Sequence, residues 1–226
     1  ERPCIFERIY FASPDSIVGN NTVYTYRKAL GEQLAIENDI IADVVVPIPD
    51  SGVSAAIGFS QKSKIPFELG IIRSHYVGRT FIEPSQTIRQ FGVKLKHSVN
   101  RSCIENKKVI LIDDSIVRGT TASKIVKMVY EAGAKEVHLG ISCPPILHPD
   151  FYGIDTPNYN QLIASQSNLK EMTKLVGAKS LFFLSLNGTY KAMGCEKRNS
   201  KMPQFTDHCF TGEYPIDVTE ILKLNR

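Results

Sequence analysis

Two acids stand side by side in the middle of the chain, Asp113 and Asp114, followed by a loop of small and hydroxylated residues, Ser115-Ile-Val-Arg-Gly-Thr-Thr121. Before them lies Val109-Ile-Leu-Ile112, a short apolar run rich in β-branched residues. Such a run predicts a buried parallel strand. After the loop, Ile125, Met128, Val129 and Ala132 recur at helical spacing, and Gly133 supplies a stop. A strand, a small-residue loop and a helix N-terminus in that order make an anion site, because free backbone N–H groups and the positive end of the helix dipole face the same point. Strand-end acids are expected to be solvated, and like charge bars them from holding phosphate directly. They suit ribose hydroxyls, or a Mg²⁺ shared with a pyrophosphate. Phosphate, diol and metal together describe an activated ribose phosphate.

A second unit of the same kind precedes it. Val44-Val-Val46 reads as a central strand stopped by Pro47 and Pro49, and a helix is expected from about Val53 to Gln61. Between them sit Asp50, Ser51 and Gly52, an acid, a hydroxyl and a residue free to take unusual dihedrals. That loop can offer backbone amides to a second phosphate group. Taken alone, Asp50 or Ser51 would be a plain helix N-cap.

The remaining elements position these two loops. Cys4 to Ser16 reads as an opening strand, Tyr24 to Glu37 as a helix weakened by Gly31, and Phe67 to Ile72 as a strand. Glu136 to Ser142 and Ser180 to Ser185 read as strands, with short helices expected over 157–165, 168–176 and from Asn187. Strands alternating with helices specify an α/β fold, an open, mostly parallel sheet flanked by helices, with ligands at the carboxyl ends of the strands. We expect one domain over 1–226, with a polar, basic flexible loop about 74–100 and a turn-rich tail about 194–226. Among 226 residues, a net charge of +4 is too mild to argue for nucleic acid. Five widely spaced cysteines do not form a disulfide framework and favour a reducing compartment. No apolar run approaches the roughly 18 residues of a membrane span, so no membrane is expected.

The stretch Asp113 to Thr121 resembles the signature of the type I phosphoribosyltransferases. Its wording, together with Tyr76-Val-Gly-Arg-Thr-Phe-Ile82 and the opening Cys4-Ile-Phe-Glu7, is similar to the glutamine phosphoribosylpyrophosphate amidotransferases, across essentially the whole chain. The resemblance implies the type I phosphoribosyltransferase fold and transfer of phosphoribose from phosphoribosyl pyrophosphate to ammonia, the opening step of purine synthesis. It assigns Asp113 and Asp114 to the ribose diol, and Ser115, Val117, Arg118, Gly119, Thr120 and Thr121 to the 5-phosphate. Asp50, Ser51 and Gly52 fall to the pyrophosphate, and Ser51, Asp113 and Asp114 to Mg²⁺. Tyr76 and Arg79 join the two acids as catalytic residues on the flexible loop, where His75 stands in place of the basic residue of many relatives. Nothing in the chain matches the family's N-terminal Cys nucleophile, so a glutaminase domain is expected upstream or missing. Some relatives hold an iron–sulfur cluster on four cysteines. The matching positions here are Cys4, Asp150, Thr206 and Cys209, and two thiolates leave the cluster unexpected. Purine nucleotides are candidate inhibitors, a homo-oligomer is expected, and the compartment is cytoplasmic, or plastid stroma for a plant or alga.

Two rivals share the phosphate loops: a salvage enzyme joining a purine or pyrimidine base, and a regulator that senses phosphoribosyl pyrophosphate and binds nucleic acid. Neither explains the Tyr76–Ile82 wording or the mild charge. The loop about 74–100 carries many charges and a Gly hinge at Gly78, so it is expected to order over substrate. Limited proteolysis checks this: cleavage within 74–100 should slow when phosphoribosyl pyrophosphate and Mg²⁺ are added. Equal rates would sink the expectation.

Overall fold

The computed structural model describes residues 2–73, 97–154, 156 and 158–220. The loop residues Tyr76 and Arg79, and His75 beside them, lie outside these described residues. The first correction to the sequence reading comes at once. Cys4–Ser16 is no strand: Glu7–Phe11 form a π-helical turn, closed by Ala12 N donating to Glu7 O at 3.0 Å. Ile5, Phe6 and Ile9 are all buried, a pattern no strand can place on one face. The carbonyls at the end of the turn have no side-chain cap of their own. Arg27 supplies the donors instead, reaching Arg8 O at 3.2 Å, Tyr10 O at 2.7 Å and Ala12 O at 2.8 Å.

A two-residue ribbon, β1 (Ile17–Val18) with β2 (Asn21–Thr22), leads into α1 (Val23–Glu37). Thr22 caps the helix by accepting from Thr25 N. Then come β3 (Val44–Pro47), α2 (Val53–Ser63), β4 (Ile71–Arg73), β5 (His97–Val99), α3 (Arg101–Ile104), β6 (Lys108–Asp113) and α4 (Thr120–Glu131). The chain continues through β7 (Glu136–Ile141), α5 (Ile163–Gln166), α6 (Leu169–Val176), β8 (Ser180–Phe183), α7 (Leu186–Ala192) and α8 (His208–Thr211). The sheet is parallel throughout, in the order β3-β6-β7-β8, with Val44 opposite Val109, Asp113 opposite Ile141 and His138 opposite Ser180. Val109, Ile110, Leu111 and Ile112 are each 0% exposed, so both faces of β6 are covered. Each such side chain contributes roughly 1.5–3 kcal/mol by leaving water.

Phe67 and Ile72 do not belong to one strand. Phe67 makes a single bridge to Val45, whereas Ile71–Arg73 turn away to pair antiparallel with His97–Val99. His97–Val99, counted in the expected flexible loop, instead form β5 against β4, and residues 74–96 of that expected loop lie outside the described residues. The helices expected over 157–165 resolve into a single 3₁₀ turn, Tyr159–Gln161, and α5.

Gly31, a weakness in sequence terms, is a packing requirement. A Cβ there would lie 1.8 Å from Ala55 O on α2, and one at Gly58 would lie 2.0 Å from Lys28 O on α1. The two helices touch backbone to backbone, and α2 begins directly after Ser51. Gly31→Ala should therefore lower stability by about 1–3 kcal/mol through overpacking, despite alanine's better helix propensity. Denaturant titration reads the change, and a stabilised variant would refute the contact.

Candidate active site

The carboxyl ends of β3 and β6 open into a cavity of about 650 Å³. Of the residues assigned to substrate by sequence, Ser51, Asp113, Asp114, Ser115, Val117, Arg118, Gly119, Thr120 and Thr121 line it together. Asp50 and Gly52 do not. The Asp50 carboxylate turns to the Arg73 guanidinium at the surface. Gly52 has an ordinary φ of −76°, so its role is not unusual dihedrals: a Cβ would lie 2.2 Å from Ile112 O, and only glycine lets the loop cross the end of β6. Its amide is spent on Ile48 O at 2.9 Å, and the Val53 amide reaches Asp50 O at 3.4 Å, whereas among the described residues no backbone group accepts from the amides of Asp50 and Ser51.

The loop after β6 is built as an anion cradle. Gly119 takes φ +73° ahead of α4, the conformation that starts the helix without a side-chain cap. Among the described residues, no backbone group accepts from the amides of Ser115 to Thr121, so they gather unspent at the positive end of a twelve-residue helix. Arg118 hydrogen-bonds Gln161, which fixes the outer side of the loop.

The acid pair is strained electrostatically. Asp113 Oδ1 accepts from Ser51 Oγ at 3.1 Å and from Asp114 N at 3.0 Å, while Asp114 Oδ2 accepts from Ser115 Oγ at 2.7 Å. Asp114 is only 5% exposed, so the expectation of a solvated strand-end acid is corrected: it shares its cavity with the opening turn and with a strap formed by residues 143–154 and 156. Burial, and after it the neighbouring Asp114 charge, hold the Asp113 carboxyl well above the usual carboxylate range.

The sequence reading did not assign to this cavity Phe6, Tyr10 and Phe11 from the opening turn, Ile146, Ile154 and Thr156 from the strap, or Cys209 from α8, which line it with others. Phe6 and Tyr10 stand four residues apart, a helical spacing that could have exposed the turn. No local signal marks the strap.

Residues 29–149 match the phosphoribosyl transferase domain family. The chain belongs to that family. It is similar to the amidophosphoribosyltransferase of Rhizobium etli, 62% identical over 95% of this chain and 44% of that one. It is 51% identical to the chloroplastic amidophosphoribosyltransferase 1 of Arabidopsis thaliana, over 97% of this chain and 38% of that one. The solved Bacillus subtilis glutamine phosphoribosylpyrophosphate amidotransferase, complexed with ADP and GMP, superposes with a TM-score of 0.88 at 49% identity, covering 97% of this chain and 48% of that one. The chain thus spans less than half the length of these relatives. The fold is that of a type I phosphoribosyltransferase.

The four positions matched to a cluster do converge. Cys4 bridges Thr206, and both line a second cavity of about 390 Å³ with Asp150 and His208. Their chemistry does not fit iron and sulfide. Only two of the four positions carry sulfur, whereas a cluster normally takes four thiolates. Thr206 Oγ1 donates to Arg2 O, and Asp150 accepts from two amides and a histidine. Among the described residues, no three His, Cys, Asp or Glu side chains are placed to hold a metal ion.

The acid pair generates a pH prediction. Below about pH 3.9 an unfolded aspartate is protonated, as Asp113 is in the fold, and its ionisation costs the fold nothing. As pH rises, the unfolded chain ionises first and folding is disfavoured, until Asp113 itself titrates. Asp113→Asn, which carries no charge at any pH, should therefore unfold at a higher temperature than the parent at neutral pH, with the gain vanishing toward pH 4. Thermal melts across that range decide it, and a variant less stable at pH 7 would contradict the account.

Proposed function

We propose that this chain transfers a 5-phosphoribosyl group from phosphoribosyl pyrophosphate to ammonia, giving phosphoribosylamine and pyrophosphate, with residues 1–226 acting as one phosphoribosyltransferase unit. The observation that carries the reading is the opening of an acid pair and a run of unspent amides into one cavity, at the carboxyl ends of adjacent parallel strands. The names of the relatives support ammonia as acceptor over a purine or pyrimidine base.

In this reading the amides of Ser115 to Thr121 donate to the 5-phosphate, and Asp113 and Asp114 accept from the ribose hydroxyls. The amides of Asp50 and Ser51 face the pyrophosphate. Ser51 and the two acids also suit Mg²⁺: they are hard oxygen donors, and a carboxyl whose pKa is raised by burial and a like charge gains from a nearby cation. When bound, the ion neutralises charge growing on the leaving pyrophosphate. The C1–O bond breaks with its electron pair going to pyrophosphate, the ammonia lone pair forms the C1–N bond, and the resulting ammonium gives a proton to water. No general base is obligatory. Positioning and charge stabilisation carry the rate. Tyr76 and Arg79 enter on the strength of the resemblance alone. Purine nucleotides as inhibitors and a homo-oligomeric state are part of the same proposal.

Pyrophosphate release is the test, with phosphoribosyl pyrophosphate, Mg²⁺ and in turn ammonium at alkaline pH, glutamine and a panel of bases. Ammonium alone should support turnover, rising with pH as free ammonia grows. Turnover with a base would move the chain to the salvage class, and glutamine-dependent turnover would show a nucleophile this chain is not credited with. Asp114→Asn should weaken phosphoribosyl pyrophosphate by about 1.5–3 kcal/mol, the value of a hydrogen bond to a charged group. Unchanged affinity by calorimetry would remove Asp114 from the diol.

A further inference from the structure

Asp150 sits at the centre of the strap that closes the substrate cavity. It is 3% exposed, its Oδ1 accepts from Tyr152 N and Ile154 N, both at 2.8 Å, and its Oδ2 lies 2.6 Å from His208 Nε2. The strap closes on itself further, with Asp150 N donating to Thr156 O at 3.1 Å and Thr156 N to Ile154 O at 2.7 Å. On the other side His208 is 1% exposed and packed between the rings of Tyr152 and Tyr214, each with its centroid 5.1 Å away. Its neighbour Cys209 accepts at its carbonyl from Leu147 N and His148 N, and Tyr214 Oη donates to Pro149 O at 2.8 Å. The tail and the strap are therefore joined through one buried acid–imidazole pair, the rings of Tyr152, Phe151 and Tyr214, and a few bonds to the backbone.

What the pair supports is the thin part of the site. Gly153 and Ile154 line the substrate cavity on one side and the cavity of Cys4, Asp150, Thr206 and His208 on the other. Both amides that hold Tyr152 and Ile154 in place end on Asp150. Among the described residues, Ile154 packs its side chain on the core, and its backbone is held within the strap, by Asp150 and by Thr156 N.

We propose that the buried Asp150–His208 pair is a metal-free strut that fixes the Gly153–Ile154 wall of the substrate cavity, making both residues positioning residues for the transfer step. The inference rests on the transferase reading above. It predicts a split in kinetics. The groups assigned to phosphoribosyl pyrophosphate stand on other elements, so its KM stays put when the strut is cut. The wall governs the space left to the acceptor, so kcat/KM for ammonia falls.

The test uses the full chain and three variants. His208→Phe keeps a ring between Tyr152 and Tyr214 but removes the donor, Asp150→Asn keeps the volume but removes the charge, and His208→Gln retains an N–H toward Asp150. His208→Phe should lower kcat/KM for ammonia at least about 10-fold, the scale of a hydrogen bond to a buried charge, with KM for phosphoribosyl pyrophosphate within about 3-fold of the parent. His208→Gln should restore most of the loss. Should His208→Phe fail to fold, Asp150→Asn carries the same kinetic prediction. Amide hydrogen exchange at Tyr152 and Ile154 should speed up in either cut variant. That readout needs no activity, so it tests the strut even if the parent releases no pyrophosphate, a result that would count against the transferase reading alone. Pre-treatment with a chelator, before Mg²⁺ is restored, should leave the melting temperature of the parent unchanged. Altered melting with unaltered kinetics and exchange, or iron and sulfide in the purified chain, would overturn the proposal.

Discussion

Apolar side chains covered on both faces of β6 leave that strand only one polar end, and on that end the chain places two like charges on consecutive residues. The rest of the site follows from the need to accommodate them. Ser51 reaches over from the loop after β3 to donate to Asp113, Ser115 donates to Asp114, and the Asp114 amide folds back on Asp113. Even so, burial and the neighbouring Asp114 charge push the Asp113 carboxyl well above its ordinary value. A donor or cation brought to this pair would relieve that cost, so the unfavourable term in the resting fold is one that favours a ligand.

Rigid packing transmits that arrangement to the other loop. α1 and α2 meet backbone to backbone at Gly31 and Gly58, and α2 starts just beyond Ser51. A contact without clearance cannot slide, so the hydroxyl that steadies Asp113 is set by helices on the far side of β3. Arg27 does similar work at the opening turn, where three carbonyls converge on one guanidinium and hold Phe6, Tyr10 and Phe11 against the cavity.

The sheet and both strand-to-helix loops were legible in the sequence because local rules govern them. Short runs rich in apolar residues made strands, helical spacing marked α4, and the loops fell where strands hand over to helices. Errors arose where distant contacts decide. Cys4–Ser16 contains strand-forming residues, yet Arg27 and the core around Ile5 and Ile9 wind it into a turn. Asp114 read as solvated because nothing near it in sequence says that residues about thirty positions on share its cavity. Asp150 was weighed as a substitute for a metal ligand, and its pairing with His208 is visible only in space. Gly52 was valued for its torsional freedom, whereas the carbonyl of Ile112 demands its missing side chain.

The link between Cys4 and Thr206 has a consequence for how the molecule comes into being. Ile5 N donates to Thr206 O and Thr206 N to Pro3 O, joining segments about two hundred positions apart. A chain made from its first residue onward can pair β3 with β6 and pack α1 on α2 long before Thr206 exists, because those contacts close over much shorter stretches. The opening turn cannot take its final neighbours, nor the strap its support, until Thr206 and His208 have been made. The sheet can therefore be finished while one wall of the cavity beside it still lacks its support.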